Sequence, residues 1–173
     1  VCQWLQKKEK STGTIFLQQG HNEFIEKYYE TIQEFIDRGY SVICFDWRGQ
    51  GMSERMIDDI NKSFINDFKR HDKDLEKILE EIIDPFFPKP LIGIGHSMGG
   101  CLMLSAFHNH PKKFDYGILS APMLGFKNEN FLRTASSLMN FFRKDTDYLI
   151  GSKPNMGIET PFEENDLTTD QKR

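Results

Sequence analysis

An uncharged run from Leu91 to Phe107 (LIGIGHSMGGCLMLSAF) constrains the fold of this chain more than any other segment. It falls just short of a membrane span, and it carries four glycines and a histidine that a lipid-facing helix would not favour. It reads instead as a buried strand, Leu91 to Ile94, a tight turn around Gly95, and a helix from Met98 to Phe107. The rest of the sequence repeats this alternation. TIFL at 14–17 is a β-rich run, and apolar residues at helical spacing follow from Phe24 to Ile36. Arg38–Gly39 closes that helix, and SVICF at 41–45 is the next strand. Apolar positions from Phe64 to Ile83 predict an amphipathic helix that Asp84–Pro85 would stop. A last strand is expected at Phe114 to Leu119. Near-continuous apolar strands separated by helices predict an α/β fold, a mostly parallel sheet covered by helices on both faces.

In such a sheet, ligands bind beyond the carboxyl ends of the strands, so the informative loops are 18–23, 46–53, 95–98 and 120–124. The sharpest motif lies in the third of these. Gly95-His96-Ser97-Met98-Gly99 is a G-x-S-x-G placed between a strand and a helix, the context that exposes a serine hydroxyl on a strained turn. Ser97 is therefore the candidate nucleophile, and it needs a base within hydrogen-bond reach. The helix start at Met98 offers a backbone N–H to a developing oxyanion, and Gly20-His21-Asn22-Glu23 lies where the second donor is expected. The backbone N–H groups of His21 and Met98 are the expected pair. Asn22 is also a good residue to cap the helix that follows.

Asp46 ends the second strand in DWRGQGMS. A short acidic side chain there suits a structural role in fixing the loop, with Arg48 as its candidate ionic partner. Of the five histidines only His108 and His110 follow Ser97 in the chain. They end the helix that leaves the serine, so they point away from it and suit the helix dipole instead. The aromatic pairs Phe86–Phe87 and Phe141–Phe142 read as core.

Composition narrows the function classes. With 38% hydrophobic and 28% charged residues, the chain is long enough to bury a core without staples. A net charge of -4 and the lack of any Lys/Arg cluster argue against nucleic acid as a partner. The three cysteines are widely spaced and form no CxxC, so neither a zinc site nor a disulfide framework is expected, in line with a cytoplasmic chain. No histidine pair is joined by carboxylates at metal-ligand spacing, and no cofactor is expected. The opening VCQWLQKKEK lacks the pattern of a signal peptide, and its first residue is not Met, so a preceding segment is expected.

Four stretches together resemble the bacterial lysophospholipase and monoacylglycerol lipase group of the α/β-hydrolase superfamily: GHNEFIEKYYETI at 20–32, RGYSVICFDWRGQGMSER at 38–55, GHSMGG at 95–100 and LSAPML at 119–124. The resemblance spans nearly all of residues 12–124, and NDLTTDQKR at 165–173 is similar to a stretch of that group's lid. It implies hydrolysis of a lipid-like monoacyl ester through an acyl-enzyme on Ser97. Two departures stand out. Gln19–Gly20 occupies the place of a His–Gly pair common in the group, and the group's catalytic Asp and His follow the lid, where this chain has no residues. Residues 1–122 are thus expected to be the first part of an α/β-hydrolase core, and 123–173 the beginning of a truncated lid. The apolar stripe at 131–142 suits packing on the sheet, with an acyl pocket or transient contact with a membrane surface as alternatives, which would make the protein peripheral to a membrane. A non-catalytic binding domain or inactive remnant, and a peptidase or thioesterase on the same scaffold, remain alternative readings.

Overall fold

The computed structural model describes residues 1–6 and 11–125 and, beyond these, only 127, 128, 130, 134 and 137. Its described elements are β1 (Cys2–Trp4), β2 (Gly13–Gln18), α1 (Tyr29–Asp37), β3 (Tyr40–Cys44), α2 (Lys69–Ile78), α3 (Asp84–Phe86), β4 (Leu91–His96), α4 (Met98–Asn109) and β5 (Tyr116–Ser120). The strands form one sheet in the order β1-β3-β2-β4-β5. All neighbours are parallel except β1, which runs antiparallel to β3. The chain leaves β2 towards β3 and returns to β4 on the other side, which opens a crevice at the carboxyl end of β2.

Side-chain alternation along the strands divides the core into two layers. Phe16 and Ile43 face α2 and α4, packing with Leu75, Leu79, Leu102 and Met103. Ile15, Leu17, Val42 and Cys44 face the other way, against Ile25 and Ile32 around α1. Helices thus cover both faces, as the apolar strands predicted. β5 departs from that pattern, with Tyr116 and Ile118 exposed. Among the described residues it is an edge strand, and no helix covers that part of the α1 face.

The helix expected over 64–83 is shorter and more broken. It starts at Lys69, where Asp67 Oδ1 accepts the Lys69 N–H at 3.0 Å and marks the end of the preceding loop. Asp84–Pro85 does not stop it. A wide π turn spans Leu79–Ile83, with the Asp84 N–H donating to Leu79 O, and Pro85 then sits in the first turn of α3, where its missing N–H leaves no gap. The chain becomes extended only at Phe87, the residue before Pro88. Of the expected core pair, Phe87 is buried but Phe86 is 65% exposed, because it lies on the outer side of this short helix. The pair Phe141–Phe142 lies outside the described residues.

All three cysteines are free, and burial pushes the Cys44 thiol up to about 12. Among the described residues no helix is long and apolar enough to cross a membrane.

Candidate active site

Ser97 sits between β4 and α4 with φ 51° and ψ −116°, a conformation that L-residues rarely adopt. Such a residue carries about 1–3 kcal/mol of strain and persists only where its surroundings fix it. Here its N–H donates to Ser120 O at 3.0 Å, and its carbonyl accepts from Met123 N at 2.9 Å and Cys101 N at 3.1 Å. The flanking glycines are required by contact rather than by flexibility. A Cβ on Gly95 would stand 2.6 Å from Gly99 O, and one on Gly99 would run into the carbonyl oxygens of Gln18 and Gln19. The helix can therefore approach the sheet closely, and the serine is lifted to the mouth of the crevice.

The loop after β2 closes against the same point. A Cβ on Gly20 would stand 3.2 Å from the Ser97 Cβ and 2.9 Å from Glu23 Oε2. The loop is held by polar contacts on each side. The Gly20 N–H donates to Glu23 Oε2 at 2.7 Å, the Tyr28 hydroxyl donates to the same oxygen at 2.7 Å, and the Asn22 N–H donates to Gln50 Oε1. The His21 N–H between them takes no acceptor among the described residues, nor does the Met98 N–H that heads α4. His21 is exposed, yet desolvation by the surrounding loops still draws its pKa below the ordinary value, which favours the neutral imidazole.

Asn22 is not the helix cap that its residue type suggested. It adopts φ 59°, and its Oδ1 accepts the Ser63 hydroxyl at 2.8 Å; the helical turn that follows begins after Phe24, with no side-chain cap. Tertiary partners have taken the groups that a cap would use.

Asp46 has the structural part expected of it. Its Oδ1 accepts Gln19 Nε2 at 3.1 Å and the Ile25 N–H at 3.0 Å, while Oδ2 accepts the Met52 N–H at 2.8 Å. Arg48 is not its partner. The guanidinium instead makes a two-pronged pair with Asp74 of α2, at 2.7 and 3.0 Å, and reaches Glu54 at 3.1 Å. The loop leads Arg48 out toward α2 while Asp46 turns inward.

Gln19, which stands in place of the family-like histidine, is buried and supports the loop directly. Its Nε2 donates to Phe45 O at 2.9 Å as well as to Asp46, and its carbonyl accepts the indole N–H of the fully buried Trp47 at 3.0 Å. Gln50, Glu23 and Ser63 had no role of their own in the sequence analysis. A glutamate three residues after a loop glycine was a usable signal for Glu23; nothing local marked the other two.

His108 lies near the far end of α4, about 16 Å along the helix from Ser97 at 1.5 Å per residue, as expected. His96 is beside the serine in sequence, but its Nδ1 lies 3.4 Å from Ser120 Oγ. Among the described residues no cluster of His, Cys, Asp or Glu could hold a metal ion. The lid expected over 123–173 lies outside the described residues apart from 123–125 and the isolated positions already named.

The sequence and the fold have counterparts in known proteins. The sequence model for serine aminopeptidase, S33, matches residues 9–172. The chain belongs to this family. A protein named probable lysophospholipase L2 from Haemophilus influenzae is 28% identical over 156 residues, which cover 89% of this chain. Lysophospholipase L2 of Escherichia coli K12 is 31% identical over 106 residues, 61% of the chain. The chain spans only 49% and 31% of the lengths of these two proteins. The crystal structure of a monoacylglycerol lipase from Paleococcus ferrophilus superposes with a TM-score of 0.64 at 20% identity, covering 80% of this chain and 49% of that one. The S33 chain thus has the α/β-hydrolase fold, with five described strands in an open sheet.

Proposed function

We propose that the protein is a serine hydrolase of carboxylic esters, with a lysophospholipid or monoacylglycerol as substrate. The observation that carries this reading is Ser97, strained at the strand-to-helix turn and faced by Gly20, where an added Cβ would stand 3.2 Å from the Ser97 Cβ. In this reading Ser97 Oγ attacks the ester carbonyl and its proton passes to a base. The base returns the proton to the departing alcohol, and water then releases the acyl group from Ser97. The His21 and Met98 N–H groups receive the carbonyl oxygen as it becomes an oxyanion. Donors of this kind are each worth about 3–4 kcal/mol in the transition state.

The names of the Haemophilus and Escherichia relatives favour a lysophospholipid, whereas the family description favours a peptide. In this reading the base and its orienting acid come from sequence beyond a lid that begins near residue 123. A fluorophosphonate probe applied to the full protein tests the nucleophile: labelling should occur and be lost in Ser97→Ala. No labelling of the native protein would leave the reading as a non-catalytic binding domain. Comparison of kcat/KM for lysophospholipid, monoacylglycerol and prolyl-peptide substrates then tests the substrate class, and a preference for the peptide would replace the lipid assignment.

A further inference from the structure

The segment before α2 reaches across to the loop that carries His21. Gly49, at φ 82°, lets it in: a Cβ there would stand 2.9 Å from Phe64 O, so only glycine allows the 63–64 backbone to lie on the DWRGQG loop. Ser63 then places its Oγ 2.7 Å from His21 Nε2 and 2.8 Å from Asn22 Oδ1. The single hydroxyl proton satisfies only one of these. Donated to Asn22 Oδ1, which can only accept, it obliges His21 Nε2 to carry a proton and donate to Ser63 Oγ. One hydroxyl thereby fixes the side chains of two successive loop residues and sets the tautomer of the imidazole.

These two residues flank the peptide geometry that matters. Asn22 is held at φ 59°, in the left-handed region, and an asparagine tolerates this better than most residues but does not favour it. Its N–H is taken by Gln50 and the Gly20 N–H by Glu23, leaving the His21 N–H as the free donor of the three among the described residues. The direction of that N–H depends on the loop keeping this turn.

We infer that Ser63 is a positioning residue: its hydroxyl latches His21 and Asn22 so that the His21 backbone N–H stays aimed at the reacting carbonyl. The inference rests on the serine-hydrolase reading above. The latch acts on a donor that matters most in the transition state, so its loss appears in kcat rather than KM.

The test uses the full protein and a p-nitrophenyl acyl ester. Ser63→Ala should lower kcat about tenfold, the worth of one ordinary hydrogen bond, with KM within about twofold of native. Ser63→Thr, which keeps the hydroxyl, should recover most of the loss. His21→Ala keeps the backbone N–H and the Ser63–Asn22 contact but removes the latched ring, so its loss should be no larger than that of Ser63→Ala. The double variant should be no slower than Ser63→Ala, because the serine change has already removed the contact with His21. The latch is overturned if Ser63→Ala turns over at the native rate, if Thr fails to restore the rate, or if the two losses multiply. Ser97→Ala separates the levels of the argument. If it retains turnover, the serine reading fails and takes the latch with it. If it is inactive while Ser63→Ala is native, the latch alone fails.

Discussion

Removing the Asp46 carboxylate should destabilise the protein far more than its place in a surface-facing loop suggests. The side chain is 5% exposed and accepts three hydrogen bonds. Two of its donors, the Gln19 amide and the Ile25 N–H, belong to buried residues, and the third belongs to Met52, which stands in solvent. In Asp46→Ala the Met52 N–H can turn to water, whereas the Ile25 N–H and one of the two Gln19 amide hydrogens lose their acceptor, Phe45 O keeping the other. An unsatisfied buried donor costs about 1–3 kcal/mol, so the substitution should cost about 2–6 kcal/mol. That is a large share of the roughly 5–15 kcal/mol by which a domain is stable. Asp46→Asn should be milder. Its one remaining oxygen can keep Gln19 and Ile25, and its amide group faces only the Met52 N–H, for a loss of about 1–2 kcal/mol. Urea unfolding of the full protein measures both, as a shift in midpoint at constant slope. Equal losses for Ala and Asn, or an Ala loss below about 1 kcal/mol, would refute the accounting. Turnover provides a second check. If Asp46 were the catalytic acid, Asn would abolish ester hydrolysis while leaving the midpoint near the native value.

The other predictions concern the elbow and a buried histidine. Gly99→Ala drives a methyl group into the carbonyl oxygens of Gln18 and Gln19, which are fixed by the sheet, and should cost about 3 kcal/mol in the same urea assay; a loss below about 1 kcal/mol would show that the helix can retreat. His71 is buried against Trp47 and Phe68, its Nδ1 has no partner among the described residues, and burial lowers its pKa despite the opposing Asp74 and Asp72 carboxylates. Its folded form binds a proton less readily than its unfolded form, so stability should be full above about pH 6.5 and fall as the pH drops below it. His71→Phe should flatten that fall. The slope should not vanish, because the His21 pKa is shifted in the same direction. An unchanged slope between pH 7 and 5 would rule His71 out as a source.

The parts legible in the sequence were those fixed by local chemistry. The strand, elbow and helix around Ser97 could be read because a G-x-S-x-G between an apolar strand and a helix leaves few conformations, and the structure places Gly95 and Gly99 where no side chain fits. The structural part of Asp46 was legible for a similar reason, since a short acid at a strand end has nearby N–H groups to bind. Partners brought by tertiary folding were not legible. Arg48 lies two residues from Asp46 in the chain, yet its ion pair is with Asp74, one element further on. Asn22 ranks high as a cap, but Gln50 and Ser63 compete for its polar groups from a loop that the local rule does not see. β1 was missed because Cys2–Trp4 is too short to show a period and exists only by pairing with β3. Ser63 gave no signal, since one serine in NKSF resembles any other surface serine.

The pairing of β2 with β4 acts as a ruler. Gln18 and Gly95 are partners across the ladder, with Gly20 and Ser97 each two residues beyond them. Adjacent strands lie about 4.8 Å apart, so the loop and the serine are set at equal height by hydrogen bonds in the sheet rather than by the long excursion that separates them in sequence. Residues inserted or lost between β3 and β4, away from Asp46, Gln50 and Ser63, leave that spacing untouched. A single residue deleted within β2 or β4 would instead slide one partner by about 3.3 Å and turn its side chains to the opposite face. Length variation in this protein is therefore tolerable in the parts of the excursion that do not brace the Gly20 loop, and ruinous in the two central strands.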